Sequence, residues 1–117
     1  NGMEIQLESK KENGILVLSI KDREINHSNS ASLKEKIFLE IADGNNKIIL
    51  DLQKVTEMDS SGLGALLFGK RQANNSGGNI VLVSVHPDVQ SLLRIAQLSR
   101  VFEVYDTIKE AIKFYKK

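Results

Sequence analysis

The residues best placed to do chemistry in this chain lie in one short run, Met58-Asp59-Ser60-Ser61-Gly62-Leu63-Gly64. A carboxylate and two hydroxyls stand just before the helical spacing of Leu63, Leu66 and Leu67. A short polar side chain in that position caps a helix, and Asp59, Ser60 or Ser61 could each do so. The same place offers free backbone N–H groups and the positive end of the helix dipole. It can therefore hold a phosphate, as a diester, a ligand or a phosphoserine. Gly62 and Gly64 strip away side chains where another surface could approach the hydroxyls, although close packing on a sheet would account for them equally.

Other readings of this stretch fail at particular positions. Gly64 to Lys70 matches the G-x-x-x-x-G-K part of a phosphate-binding loop, but Arg71 stands where a magnesium-ligating Ser or Thr is needed. Its interior, Ala-Leu-Leu-Phe, is apolar at helical spacing. Gly62-Leu63-Gly64 opens like G-x-G-x-x-G, yet Leu67 occupies the third glycine position, and Met58 occupies the first glycine of a G-x-S-x-G elbow. Asp51, at the end of an apolar run, resembles the phosphoacceptor of a receiver domain. The acidic pair and the late Lys that such a site needs are missing, which leaves a polar residue near the buried end of a strand. His27 and His86 are far apart and belong to no metal-ligand spacing, and the chain has no Cys. The expectation is a protein with no catalytic residue, no metal and no cofactor.

With 117 residues, the chain is long enough for one packed core and too short for two. Lys and Arg number 16 against 15 Asp and Glu, a net charge of +1 that favours neither a nucleic-acid track nor an acidic membrane surface. No apolar run approaches the roughly 18–20 residues of a membrane span, and no signal peptide opens the sequence. These features predict a soluble, cytoplasmic, single-domain protein spanning residues 3–117, with Asn1-Gly2 read as a cloning remnant.

The elements that must hold the polar run follow from periodicity. Glu4–Glu8 alternates like a half-exposed strand, Asn13-Gly14 signals a tight turn, and Ile15–Ile20 supplies the second arm of a hairpin. Lys47–Leu52 and Asn79–Ser84 read as strands of a buried parallel sheet, and Val101–Tyr105 as a further strand. Leu33, Ile37, Phe38 and Ile41 predict one helix, with Ser32 and Glu35 at capping-box spacing. Ser61–Asn75 predicts a second. Val89, Leu92, Leu93 and Ala96, just after Pro87, predict a third. Ile108, Ala111, Ile112 and Tyr115 predict a fourth, with Thr107 and Glu110 as its capping box. The order β-β-α-β-α-β-α-β-α argues for an α/β sheet with parallel crossovers and one antiparallel hairpin strand.

The run Ile48 to Gly64, an apolar strand, a seven-residue loop and D-S-S-G-L-G, closely resembles the signature of STAS domains, in particular the stand-alone anti-sigma factor antagonists of bacteria. The resemblance covers nearly all of Met3 to Lys117. Gly77–Val83 is similar to the family's next strand, and Val89–Leu98, Val101-Phe102 and Asp106–Ala111 to its closing helix, strand and helix. It implies a STAS-like α/β domain with a mixed, mostly parallel sheet, an N-terminal hairpin strand and about four helices.

Functionally, the resemblance implies a partner-switching module and not an enzyme. Ser60 would accept phosphate from an anti-sigma factor that is also a serine kinase, and a metal-dependent serine phosphatase would remove it. Asp59 would be its neighbour and Ser61 its helix-capping companion. The unphosphorylated form would bind the anti-sigma factor and free the sigma factor; the phosphorylated form would let go. Asn26, His27, Ser28, Asp59, Ser61, Gly62 and Leu63 would form the contact, so that Gly62→Leu should weaken binding more than folding. Direct nucleic-acid contact and membrane insertion are not implied, and the oligomeric state is left open. In the family's G-x-L-D loop, this chain has Arg23-Glu24-Ile25-Asn26, replacing the glycine with Arg23 and the acid with Asn26. His27 and Ser28, read from the residues alone, are a polar loop leading to a helix. The rival readings are a STAS adaptor that works without phosphorylation in lipid transport or stress signalling, and a small phosphotransfer or nucleotide-hydrolysing enzyme.

Overall fold

The computed structural model describes residues 3–116; Asn1, Gly2 and Lys117, and with them the reading of a cloning remnant, lie outside the described residues. Asn13 and Gly14 both adopt positive φ (57° and 77°), the two-residue turn whose twist matches paired strands. That turn fixes the register Glu12↔Ile15 through Leu7↔Ile20, so strand β1 is Leu7–Glu12 and β2 is Ile15–Ile20. The expected strand at Glu4–Glu8 is corrected accordingly. β1 is a polar edge strand with no alternation to read. Ile5 lies upstream of it, buried, with its N–H donating to Ser32 Oγ at 2.9 Å.

Beyond β2 the chain runs through β3 (Glu24–Ile25), α1 (Ser30–Ala42), β4 (Lys47–Asp51), β5 (Glu57–Met58) and α2 (Ser60–Asn75). It closes with β6 (Asn79–Val83), α3 (Pro87–Ile95), β7 (Val104–Tyr105) and α4 (Ile108–Tyr115). Five strands form one mixed sheet in the order β1-β2-β4-β6-β7, antiparallel only between β1 and β2. β3 and β5, which periodicity did not predict, make a separate two-stranded parallel ladder.

The sheet is buried on both faces, which is why β2, β4 and β6 read as unbroken apolar runs. One face packs Leu16, Leu18, Ile48, Leu50, Ile80 and Leu82 against α1, α2 and α3. The other packs Ile15, Val17, Ile49, Val81 and Val83 against α4. Gly69 lets α2 press on this core, since a Cβ there would meet Ile80 Cδ1 at 2.8 Å and Ile37 Cδ1 at 3.1 Å. The G-x-x-x-x-G-K match is thus the middle of a packed helix.

Several local expectations change with packing. Phe38 is 50% exposed because the buried stripe of α1 follows Leu33 and Ile37, and Phe38 lies off it. Ser32 caps nothing, being occupied by Ile5, and α1 begins at Ser30. β7 is two residues long; Phe102 before it is buried from an irregular backbone. Thr107 and Glu110 do form the capping box of α4, and Pro87 does open α3.

At the starting ends of the strands, α4 is tied down by the Tyr115 hydroxyl. It accepts from Ile48 N at 3.2 Å and lies 2.7 Å from the carbonyls of Ile48 and Asn79. Burial pushes this phenol above its ordinary pKa. Nearby, buried Lys70 donates to Asn79 Oδ1 at 2.6 Å and Glu103 Oε1 at 3.0 Å. Burial opposes the charge on Glu103, but Lys70 and Asn79 outweigh it and hold that carboxyl below its usual range.

Candidate functional site

The polar run sits at the finishing ends of the parallel strands, where connecting loops gather. β4 ends at Asp51, whose Oδ2 accepts from Ser19 Oγ (3.0 Å) and whose Oδ1 accepts from Gln53 N (3.0 Å). Asp51 is committed to closing a strand, as the plainer reading expected.

Asp59 settles the capping question. It is the N-cap of α2, with extended backbone (φ −106°, ψ −174°), and its Oδ1 accepts from Gly62 N at 3.0 Å. Ser60 and Ser61 are therefore the first two helical residues, and Ser61 is corrected from capping companion to first-turn residue. The second oxygen of Asp59 reaches across to another segment. Oδ2 accepts from His27 N at 3.1 Å, with His27 Nδ1 3.8 Å away. Partial desolvation works against this carboxylate, but the N–H groups of Gly62, His27 and Ser61 outweigh it and depress its pKa. One side chain thus starts the helix and anchors the 26–28 loop beside it.

That loop has a second support that sequence reasoning missed. Asn29 occupies the N-cap position of α1 yet makes no capping bond. Its buried amide turns the other way: Oδ1 accepts from Asn26 N at 2.9 Å and Nδ2 donates to Glu24 O at 2.8 Å. Asn26 Oδ1 in turn accepts from Ser28 N at 2.9 Å. An Asn at a helix start normally contributes about 1 kcal/mol to that helix; here it is spent on loop shape. The signal available in sequence was an Asn three residues after another Asn, too common to single out.

The β3–β5 ladder completes the frame. Glu24 faces Glu57 and Ile25 faces Met58 in register, and Asp59 N donates to Ile25 O at 3.2 Å. Between residues 24–27 and 57–59 lies a shallow depression of about 280 Å³. The structure therefore brings Asn26, His27, Ser28, Asp59, Ser60 and Ser61 together on one surface. Ser60 and His27 are exposed; Asn26, Ser28, Asp59 and Ser61 are half-buried.

Gly62 and Leu63 face inward. A Cβ on Gly62 would meet Met58 Cγ at 2.5 Å and Ile25 O at 2.6 Å, so its bareness serves internal packing. Leu63 is a core residue. Gly62→Leu would therefore strike the fold before any partner, and the expected order of its effects reverses. Gly64 is exposed with open space around it, and it alone of the pair leaves room outside. Among the described residues no group of three or more His, Cys, Asp and Glu is placed to hold a metal ion, and no helix is long and apolar enough to cross a membrane.

The family described as the STAS domain matches residues 6–111. The chain belongs to that family. This STAS domain is similar to a crystal structure from Thermotoga maritima, a protein whose description as an anti-sigma factor antagonist is itself provisional. They share 31% identity, the match covers 95% of each chain, and the TM-score is 0.89. It is 29% identical to the anti-sigma F factor antagonist of Paenibacillus polymyxa over 94% of each chain. The phosphorylated form of the Bacillus cell fate determinant SpoIIAA matches with 25% identity and a TM-score of 0.72, covering 95% of this chain and 98% of that one.

Proposed function

We propose that this STAS domain is a cytoplasmic anti-sigma factor antagonist controlled by phosphorylation at Ser60. The observation that carries the reading is the position of Ser60: an exposed hydroxyl on the first residue of α2, beside the anchored 26–28 loop. The names of its relatives point the same way, one of them a protein with a phosphorylated form. In this reading the unphosphorylated surface, built from Asn26, His27, Ser28, Asp59, Ser60 and Ser61, binds an anti-sigma factor that is also a serine kinase. Gly62 and Leu63 support that surface from beneath. A metal-dependent serine phosphatase resets it.

The switch is electrostatic. A phosphate adds about −1.5 to −2 charges and three acceptor oxygens. The dipole of α2 tolerates a negative group at its start, so the fold survives. Glu57 and Asp59 already make the neighbourhood acidic, which removes part of that benefit. A partner packed against a neutral hydroxyl would have to desolvate a dianion with no counter-charge.

Binding is measured by calorimetry with the purified cognate kinase, and phosphorylation by phosphopeptide mapping. Ser60→Asp is expected to melt within a few degrees of wild type and to bind at least about tenfold more weakly, a 1.4 kcal/mol effect. Ser60→Ala is expected to bind constitutively and to lose labelling, with Ser61→Ala reducing it only in part. Labelling that survives Ser60→Ala, or Ser60→Asp binding as tightly as Ser60→Ala, refutes the reading. Constitutive binding with no labelling of the wild type would instead favour the adaptor.

A further inference from the structure

The far end of α3 carries chemistry that the Ser60 surface does not use. Ile95, the last residue of that helix, is 78% exposed, more than any other large apolar side chain among the described residues. The chain leaves the helix by a tight left-handed turn at Gln97 (φ 61°), with Leu98 N donating back to Leu93 O at 2.8 Å. Two depressions lie against this turn, about 260 Å³ and 170 Å³, and both are lined by Arg94 and Ser99. They form one groove. Leu93 and Val104 give it an apolar floor, and Arg94 and Arg100 stand at its rim.

The two arginines have no carboxylate partner among the described residues. Neither forms a salt bridge among the described residues, and Arg94 makes only a 3.2 Å bond to Ser91 Oγ. Glu103, the nearest acid in sequence to Arg100, is held by Lys70. In a chain whose charges otherwise balance, this leaves a local positive edge beside the apolar floor of Leu93 and Val104. Guanidinium groups recognise carboxylates in a paired, directional way, and an apolar floor beside them can seat the anchoring side chain of a binding hot spot.

We infer that this groove docks an acidic segment of a partner protein, one that sets carboxylates against Arg94 and Arg100 and an apolar side chain over Leu93 and Val104. Charge complementarity selects the acid. The apolar floor and the small number of cations favour a protein over nucleic acid or membrane, each of which calls for a longer basic stripe. The inference does not depend on Ser60: the surface has its own anchor and its own charge.

The test is a nuclear magnetic resonance titration of the isotope-labelled full chain with a short acetylated peptide rich in glutamate and carrying two leucines. Shifts are expected to concentrate at residues 90–104. The double variant Arg94→Glu with Arg100→Glu should weaken the peptide at least tenfold while melting within a few degrees of the wild type, since both side chains are exposed and only the charge at the end of α3 is lost. A lysine-for-glutamate version of the peptide should not bind. Shifts at other residues or none, equal binding by the charge-reversed variant, or equal binding of the lysine peptide would each overturn the proposal. So would phosphatidylserine vesicles engaging the groove when the peptide does not.

Discussion

Gly62 and Gly64 sit two residues apart in the same helix, and alanine is expected to move them in opposite directions. At Gly64 the new methyl enters open space on an exposed turn. Only the helix preference remains, and Gly64→Ala should stabilise the domain by about 0.5–1 kcal/mol. At Gly62 the methyl lands 2.5 Å from Met58 Cγ and 2.6 Å from Ile25 O. Met58 can rotate away, but the carbonyl is backbone within the β3–β5 ladder, and it accepts the N–H of Asp59. Overpacking of this kind costs about 1–3 kcal/mol, and straining that hydrogen bond adds about 0.5–1.5 kcal/mol. Set against the helix gain, Gly62→Ala should lose about 0.5–4 kcal/mol net. Differential scanning calorimetry reads both: a rise of roughly 2–4 °C for Gly64→Ala and a fall of roughly 2–16 °C for Gly62→Ala, at about 4 °C per kcal/mol for a domain of this size. A Gly62→Ala protein that melts at or above wild type would mean that the ladder yields freely, and the argument for internal packing would be wrong.

Three further outcomes follow from the same contacts. Asp59→Asn keeps a capping side chain and removes its charge. The folded carboxyl has a depressed pKa, so its stabilisation is present above the ordinary carboxylate range and lost as pH falls through the folded value; urea melts of the two proteins should differ at neutral pH and converge in acid, and a gap unchanged by pH would refute this. Asn29→Ala removes two side-chain bonds from a buried position and should cost about 2 kcal/mol, with faster hydrogen exchange at His27 N–H; exchange left unchanged would show that the loop holds without it. Thr56 Oγ1 is a buried polar atom with no partner among the described residues, so Thr56→Val should gain about 1 kcal/mol in chemical denaturation, and a loss would point to a bond formed with water.

What could be read from sequence divides along physical lines. β2, β4 and β6 were legible because strands buried on both faces must be apolar throughout. The α4 capping box and the Pro87 start were legible because each is decided within four residues. β1 was misplaced because an edge strand of Leu-Glu-Ser-Lys-Lys-Glu has no buried face to mark its phase, and only the turn at Asn13-Gly14 sets its register. The β3–β5 ladder was invisible, since Glu-Ile and Glu-Met pairs are too short to carry a period. At the site, the run of residues 58–64 was found from local chemistry and from the family resemblance. The division of labour within it was not. Three adjacent capping residues give no local signal that Asp59 is the one used, nor that its second oxygen is taken by His27, 32 residues earlier. Asn29 escaped notice for another reason: its bonds go back to Asn26 and Glu24, away from the helix that its position suggests.

The Tyr115 hydroxyl, wedged between the first residues of β4 and β6, has a consequence for how such a domain diversifies. Together with the Lys70–Asn79–Glu103 cluster it fastens the sheet at the end remote from Ser60, by contacts spanning up to 67 residues of chain. The loops around Ser60 are held by braces of their own, through Asp59 and Asn29. Residues of the 23–28 loop can therefore be exchanged while the opposite end keeps the sheet intact. An engineer grafting another loop onto this scaffold inherits the same freedom, provided that the graft brings its own brace.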